Sequence, residues 1–178
     1  MTDIEPTRLI VIYDTGIVLQ SVLNPDSPAA RALRWAEHPA VQAVVSNRLR
    51  SEYEEVLRRP ALRERFAPLR NPVVVEGQLD RVDSVMRRVP NPPEQIEYPR
   101  DPKDAPLINL AIFYDAWFLV TRDRDLLDLD SDPVLRKRSP ALRLLDPVAF
   151  LRAVEDLASN QPLSLENPEP PRRDTIPA

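Results

Sequence analysis

Cysteine is absent from this 178-residue sequence, and histidine and glycine are nearly absent. Without cysteine the chain has no disulfide framework, thiolate metal site or iron–sulfur cluster. The single histidine, His38, excludes every zinc site that needs several histidines. Two glycines, Gly16 and Gly77, are too few for the glycine-rich loops that bind nucleotide phosphates. The chemistry left to the chain is therefore that of carboxylates, hydroxyls and arginines.

Long apolar runs are missing as well. The longest unbroken runs contain five residues, as in Leu9–Tyr13, whereas a membrane-spanning helix needs about 20. The acidic and polar start, MTDIEPTR, does not resemble a secretory signal. We therefore expect a cytoplasmic protein without a membrane segment.

Charge is present in both signs but is distributed unevenly. The net charge is −4, yet residues 48–70 carry seven arginines against four glutamates. Residues 101–132 carry eight aspartates against three basic residues. An acidic cluster beside a basic stretch indicates bound cations and an anionic partner.

Short β-branched runs alternate along the chain with amphipathic segments. Strands are predicted over 8–13, 41–45, 117–121 and 141–145, and helices over 28–38, 46–59, most of 61–89, 104–114 and the segment after Asp146. This alternation predicts an α/β protein, a three-layer α/β/α sandwich around a central parallel sheet. The folded domain is expected to span residues 1–159. Residues 160–178 contain five prolines and no periodicity, which predicts a disordered tail.

Three aspartates stand where predicted elements begin or end. Asp14 directly follows the first strand, Asp123 follows the strand at 117–121, and Asp104 opens the helix before that strand. In an open parallel sheet the functional crevice lies beyond the carboxyl ends of the strands, at the switch point of strand order. We therefore expect these carboxylates to converge there.

The helix at 46–59 supplies a fourth acid. At 100° per residue, Glu52 borders the apolar face, whereas Glu55 is expected to point to solvent. Oxygen ligands without histidine or cysteine suit Mg²⁺ or Mn²⁺, and such ions promote phosphodiester hydrolysis. Asp101 and Asp125 are secondary candidates for the same site.

Four segments in order resemble the PIN domain, most closely the toxins of bacterial toxin–antitoxin modules related to VapC. They are Val11–Thr15, the stretch from Ser46 through Glu52 to Pro60, Asp101–Asp104 and Leu119–Leu126. The resemblance covers residues 8–146. It implies a metal-dependent ribonuclease whose four family acids fall on Asp14, Glu52, Asp104 and Asp123. It also implies a cognate antitoxin and a homodimer, and we take single-stranded RNA as the expected substrate.

One departure from the family leaves an alternative open. PIN domains commonly read Asp-Thr-Asn after the first strand, and this chain has Gly16 in place of the asparagine. A PIN fold that binds RNA or protein, with weak or no nuclease activity, is therefore the alternative prediction. A phosphoacceptor receiver domain fits less well, because Asp14 follows a tyrosine and neither Lys103 nor Lys137 ends the last strand.

Overall fold

A single parallel sheet forms the centre of the computed structural model, which describes residues 8–94 and 102–160. Its strands are β1 (Leu9–Tyr13), β2 (Val41–Ser46), β3 (Met86–Val89), β4 (Phe118–Val120) and β5 (Arg143–Leu145). Their order across the sheet is β3-β2-β1-β4-β5, and each neighbouring pair is parallel. The helices flank this sheet, so the predicted α/β/α sandwich is confirmed. The predicted tail lies outside the described residues, apart from Asn160.

The helices of the described residues connect the strands in the order of the chain. They are α1 (Thr15–Leu23), α2 (Pro28–Arg34), α3 (Asn47–Leu57), α4 (Pro60–Arg65), α5 (Pro72–Val85), α6 (Ala105–Phe113), α7 (Arg124–Asp128), α8 (Pro133–Arg138) and α9 (Pro147–Asn160). None of them combines the length and the apolar composition that crossing a bilayer requires.

Several helix starts follow from side chains that cap them. The hydroxyls of Ser27 and Ser46 accept backbone N–H groups in the first turns of α2 and α3. Asp132 and Asp146 do the same for α8 and α9. Each cap satisfies N–H groups that a helix leaves without a partner. The predicted starts at 28, 46 and after 146 are confirmed.

Residues 86–89 form a strand, although their spacing predicts a helix. They pair with β2 along its outer edge, from Ala43 opposite Met86 to Ser46 opposite Val89. Met86 and Val89 are buried while the two arginines between them are exposed. Pairing with the sheet outweighs the helical spacing of the apolar residues.

Three helices were not expected from the sequence. The residues after Asp14 form α1 at once, and α7 and α8 lie on either side of residues 129–132. Helix α1 escapes detection because it is buried on more than one side and lacks a polar stripe. Asp132, between these two helices, caps α8.

The core lies on both faces of the sheet. Tyr13 and Phe118 contact the ring of Phe150 edge-on, at centroid distances of 6.1 Å and 5.4 Å. On the other side the Tyr53 hydroxyl donates to the carbonyl oxygen of Tyr13, at the end of β1. This contact fixes α3 against the strand that Asp14 follows.

Candidate active site at the switch point of the sheet

The chain reverses its direction of progress across the sheet between β1 and β4. From β1 it proceeds outward through β2 to β3, and it then crosses back to β4 on the other side of β1. Asp14 directly follows β1, and Thr121 directly follows β4. The two strand ends diverge into connections that leave in opposite directions, which opens a crevice above them.

Asp14 is held rigidly at this point. Its backbone N–H donates to the carbonyl oxygen of Val120 at 2.9 Å, which extends the pairing of β1 with β4. The hydroxyl of Thr121, itself fully buried, donates to Asp14 Oδ2 at 2.7 Å. The carboxylate of one strand end is thereby fixed by the hydroxyl of the neighbouring strand end.

Burial raises the pKa of the Asp14 carboxyl above its ordinary value. The hydrogen bonds from the Thr121 hydroxyl and the Thr15 backbone oppose this rise in pKa, and the negative charges of Glu52 and Asp123 add to it. A nearby cation stabilises the ionised form of a carboxylate that burial and neighbouring negative charges disfavour. The electrostatics therefore favour a positive ion beside Asp14.

Glu52 reaches the crevice from α3. The cap by Ser46 sets where this helix begins, and the contact of Tyr53 with β1 sets its rotation. The hydroxyl of Thr15, in the first turn of α1, donates to Glu52 Oε1 at 2.7 Å. Thr15 and Thr121 thus each donate a hydroxyl hydrogen bond to one acid of the site.

Asp123 is linked to Asp14 through the same threonine. Its backbone N–H donates to Thr121 Oγ1 at 3.0 Å. Its Oδ1 accepts the backbone N–H of Asp125 at 2.8 Å, which caps α7. Asp123 is exposed, and its second carboxylate oxygen, Oδ2, accepts no hydrogen bond from the residues described.

All four acids predicted for the site line one open cleft of about 530 Å³, here called the acidic cleft. Its lining residues are Asp14, Ser46, Arg48, Leu49, Glu52, Glu55, Arg59, Lys103, Asp104, Pro106, Leu107, Leu110, Asp123 and Leu126. Asp104 arrives from the start of α6 and is half-buried. Of the secondary candidates, Asp125 does not line the cleft, and Asp101 lies outside the described residues.

Sequence reasoning missed other charged residues of the acidic cleft. Glu55 was expected to point away, yet it lines the cleft while its carboxylate pairs with Arg59 at 3.2 Å. Arg48 lies four residues before Glu52, so helical spacing already places both on one face. The cations Arg48, Arg59 and Lys103 set positive charge opposite the acids.

The donors of the acidic cleft fit a hard divalent cation. They are carboxylate and hydroxyl oxygens, the ligands that Mg²⁺ and Mn²⁺ prefer. Across residues 8–94 and 102–160, no three acidic or histidine side chains are already arranged to hold an ion. Asp123 is exposed, so its carboxylate has room to turn toward the fixed Asp14, whereas Glu52 is held by Thr15.

Comparison with known proteins identifies one matching family and similar solved structures. A sequence profile described as the PIN domain matches residues 10–125. No curated protein sequence matches the chain. The structure of PAE2754 from Pyrobaculum aerophilum is similar over 83% of this chain and 96% of that one, with a TM-score of 0.52 and 16% identity. VapBC2 from Rickettsia felis, solved with a promoter DNA fragment, matches 78% of this chain and 98% of that one, with a TM-score of 0.49 and 16% identity.

Proposed function

This chain belongs to the PIN domain family, and we propose that it is a metal-dependent endoribonuclease that cleaves single-stranded RNA. The observation that carries the proposal is the fixed, half-buried carboxylate of Asp14 at the switch point, which lines one cleft together with three further acids. Such a cluster has little use in a purely structural role, because burial and like charge both act against it.

Asp14, Glu52, Asp104 and Asp123 are the residues that would hold Mg²⁺ or Mn²⁺. A divalent ion bound there supplies activation of a water molecule and stabilisation of charge on a phosphoryl oxygen. Thr121 keeps Asp14 in place, and Thr15 keeps Glu52 in place, so the ligands lose little freedom on binding. No histidine is needed as a base.

The cations of the acidic cleft suit the substrate. Arg48 forms no ion pair with any residue of the described chain, and it lines the cleft together with Lys103. Guanidinium and ammonium groups bind phosphate oxygens directly. The cleft has a volume of about 530 Å³ at the strand ends, and an unpaired strand can bring its phosphates to the acids there.

We propose further that the enzyme is the toxin of a toxin–antitoxin pair and acts in the cytoplasm as a homodimer. The order of motifs supports this assignment, above all the segments Asp101–Asp104 and Leu119–Leu126. A cognate antitoxin would inhibit the enzyme by covering the acidic cleft. If a small gene lies immediately upstream, co-expression with its product, followed by an activity assay, tests this part.

Gly16 supports the alternative, a PIN fold that binds RNA or a partner and cuts poorly. A side chain at this position would face the site, because a Cβ built there would lie 3.8 Å from Asp14 Oδ2. The chain therefore lacks an amide where the family commonly has one.

One experiment separates the two functions. Purified protein is incubated with a labelled single-stranded RNA and the matched duplex, with Mg²⁺, with Mn²⁺ and with excess EDTA. The nuclease cuts the single strand in the presence of metal only, and Asp14→Asn abolishes cutting. Binding of RNA without metal-dependent cutting supports the alternative, and cutting that survives EDTA and Asp14→Asn contradicts the proposed site.

A further inference from the structure

A second cleft, of about 510 Å³, lies beside the acidic cleft. Its walls come from the end of α1, the start of α2, the turn after β4 and the start of α9. The polar residues used below are Gln20, Asn24, Arg122, Arg124 and Asp146. Neither the family match nor the acidic site accounts for this cleft.

The two clefts share one wall, the segment 122–127. Asp123 and Leu126 of this segment line the acidic cleft, whereas Arg122, Arg124 and Leu127 line the second cleft. Consecutive Cα atoms are about 3.8 Å apart, so each arginine begins within that distance of Asp123. A polyanion that crosses this wall would pass from the carboxylates directly to the guanidinium groups.

The second cleft has the opposite charge balance. The acidic cleft is lined by five carboxylates and three cations, whereas the second cleft is lined by two arginines and one carboxylate. That carboxylate, Asp146, is occupied in capping α9, where its Oδ1 accepts two backbone N–H groups. The positive charges of the arginines are therefore left for a ligand.

The two arginines of the second cleft, Arg122 and Arg124, differ in their contacts. Arg122 is oriented by Gln20, whose Oε1 accepts its Nη1–H at 3.0 Å. Arg124 is exposed and forms no ion pair with any of the described residues. The remaining lining combines amides, as at Asn24, with an apolar side chain, Val148, that is 44% exposed. This mixture suits phosphate, sugar and an unstacked base together.

We propose that the second cleft is a substrate subsite, which binds the stretch of single-stranded RNA next to the phosphodiester held at the acidic cleft. The inference rests on the proposed ribonuclease function. Arg122 and Arg124 bind the phosphates that flank the cleaved one, and the wall at 122–127 bends the strand between the two clefts. The subsite thereby sets the length of RNA that the enzyme prefers.

Fluorescence anisotropy with a labelled single-stranded oligoribonucleotide tests this proposal. The parent protein carries Asp14→Asn, so the RNA stays intact, and Arg122→Gln and Arg124→Gln are added singly and together. Arg8→Gln is the matched control, because Arg8 is also exposed but stands before β1, at the opposite end of the strands. Unfolding curves of each variant verify that the fold is intact.

We expect each single substitution to weaken RNA binding about threefold to tenfold. The slope of log K against log salt should become shallower by about 0.7 for each phosphate that the variant no longer binds. Arg8→Gln should change neither quantity. If the double variant destabilises the protein, Arg124→Gln alone decides, since its side chain is exposed and forms no ion pair with the described residues.

The proposal is overturned if Arg124→Gln and the double variant bind RNA as the Arg8→Gln control does, and the cleft would then be open to a protein partner instead. It is overturned as well if the Asp14→Asn parent binds no RNA. Cleavage of the same oligonucleotide by the wild type, with metal and with EDTA, reports on the ribonuclease function separately. Weaker RNA binding by the arginine variants without wild-type cleavage would contradict that function and leave the RNA site standing.

Discussion

Thr15 Oγ1 lies 2.7 Å from Glu52 Oε1, so the first turn of α1 fixes a carboxylate of α3. The donor is buried and the acceptor is exposed. The buried hydroxyl of Thr15 thus restricts the rotation of the exposed Glu52 side chain.

Thr15→Val should lower ribonuclease activity about tenfold, which corresponds to about 1.4 kcal/mol of transition-state stabilisation. Valine keeps the shape but removes the donor, so Glu52 loses its orientation. Thr15→Ser keeps the donor and should stay within about threefold of wild type on the same scale. Steady-state cleavage assays compare the variants, and full activity of Thr15→Val would mean that the hydrogen bond does not position Glu52.

Divalent metal should stabilise the folded protein. A cation that binds only the native state raises the free energy of unfolding by mass action. Millimolar Mg²⁺ or Mn²⁺ is expected to raise the melting temperature, and Asp14→Asn combined with Asp123→Asn should abolish the rise. Asp26→Asn combined with Asp80→Asn removes the same charge from exposed positions outside the cleft and should leave the rise intact. An unchanged melting temperature of the wild type on addition of metal would contradict the proposed metal site.

The ionised carboxylate of Asp14 should lower the free energy of unfolding of the metal-free protein at neutral pH. Its pKa is raised in the folded state, so the ionised form is less favourable there than in the unfolded chain. Asp14→Asn should therefore raise the midpoint of urea unfolding at pH 7. As the pH falls through the raised pKa toward the unfolded value of about 3.9, the native carboxyl takes up its proton first, and the difference between variant and wild type should vanish. Equal midpoints at pH 7 would show that the burial of Asp14 is fully compensated.

The three glutamates of α3 should differ in their effect on catalysis. Glu52→Gln is expected to lower cleavage at least about tenfold. Glu54 forms ion pairs with Arg50 and Arg58, and Glu55 is held by Arg59 at the rim of the acidic cleft. Glu54→Gln and Glu55→Gln should therefore stay within about threefold of wild type. Cleavage rates of the three variants under one metal concentration decide, and an inactive Glu55→Gln would transfer the ligand role to Glu55.

Gly16→Asn should improve the site without harming the fold. The Gly16 backbone does not adopt a positive φ, and a Cβ there meets only Asp14 Oδ2 at 3.8 Å. We expect tighter metal binding or faster cleavage, by about threefold or more on the rate scale. Gly16→Ala is the control, since it gains helix propensity of up to about 1 kcal/mol but supplies no amide. An Asn variant that behaves like the Ala variant in metal titrations would show that the amide is not needed.

Much of the fold could be predicted from local patterns. The run Leu9–Tyr13, the Ser46 cap and the aspartates at strand ends each carry a signal that depends on few neighbours. The strand Met86–Val89 could not be predicted, because its conformation is decided by pairing with β2 and not by its own spacing. Helix α1 was missed for a related reason, since burial on several sides removes the polar stripe that periodicity detects.

The candidate site could be predicted in part. Topology and helical phase predict that Asp14, Glu52, Asp104 and Asp123 meet, and all four line the acidic cleft. Their role as metal ligands remains a prediction. The presence of Glu55 and Arg59 at the same cleft follows from how their side chains pair across one helical turn, which backbone periodicity does not fix.

The hydrogen bond from Thr121 to Asp14 joins residues that are 107 positions apart in the chain. During synthesis, Asp14 leaves the ribosome long before Thr121 has been made. The acids of α3 and α6 also precede β4 in the chain. The hydrogen bond that holds Asp14 at the proposed site can therefore form only after β4 has paired with β1. The proposed ribonuclease would therefore gain activity only with the completed fold, after β4 has been synthesised.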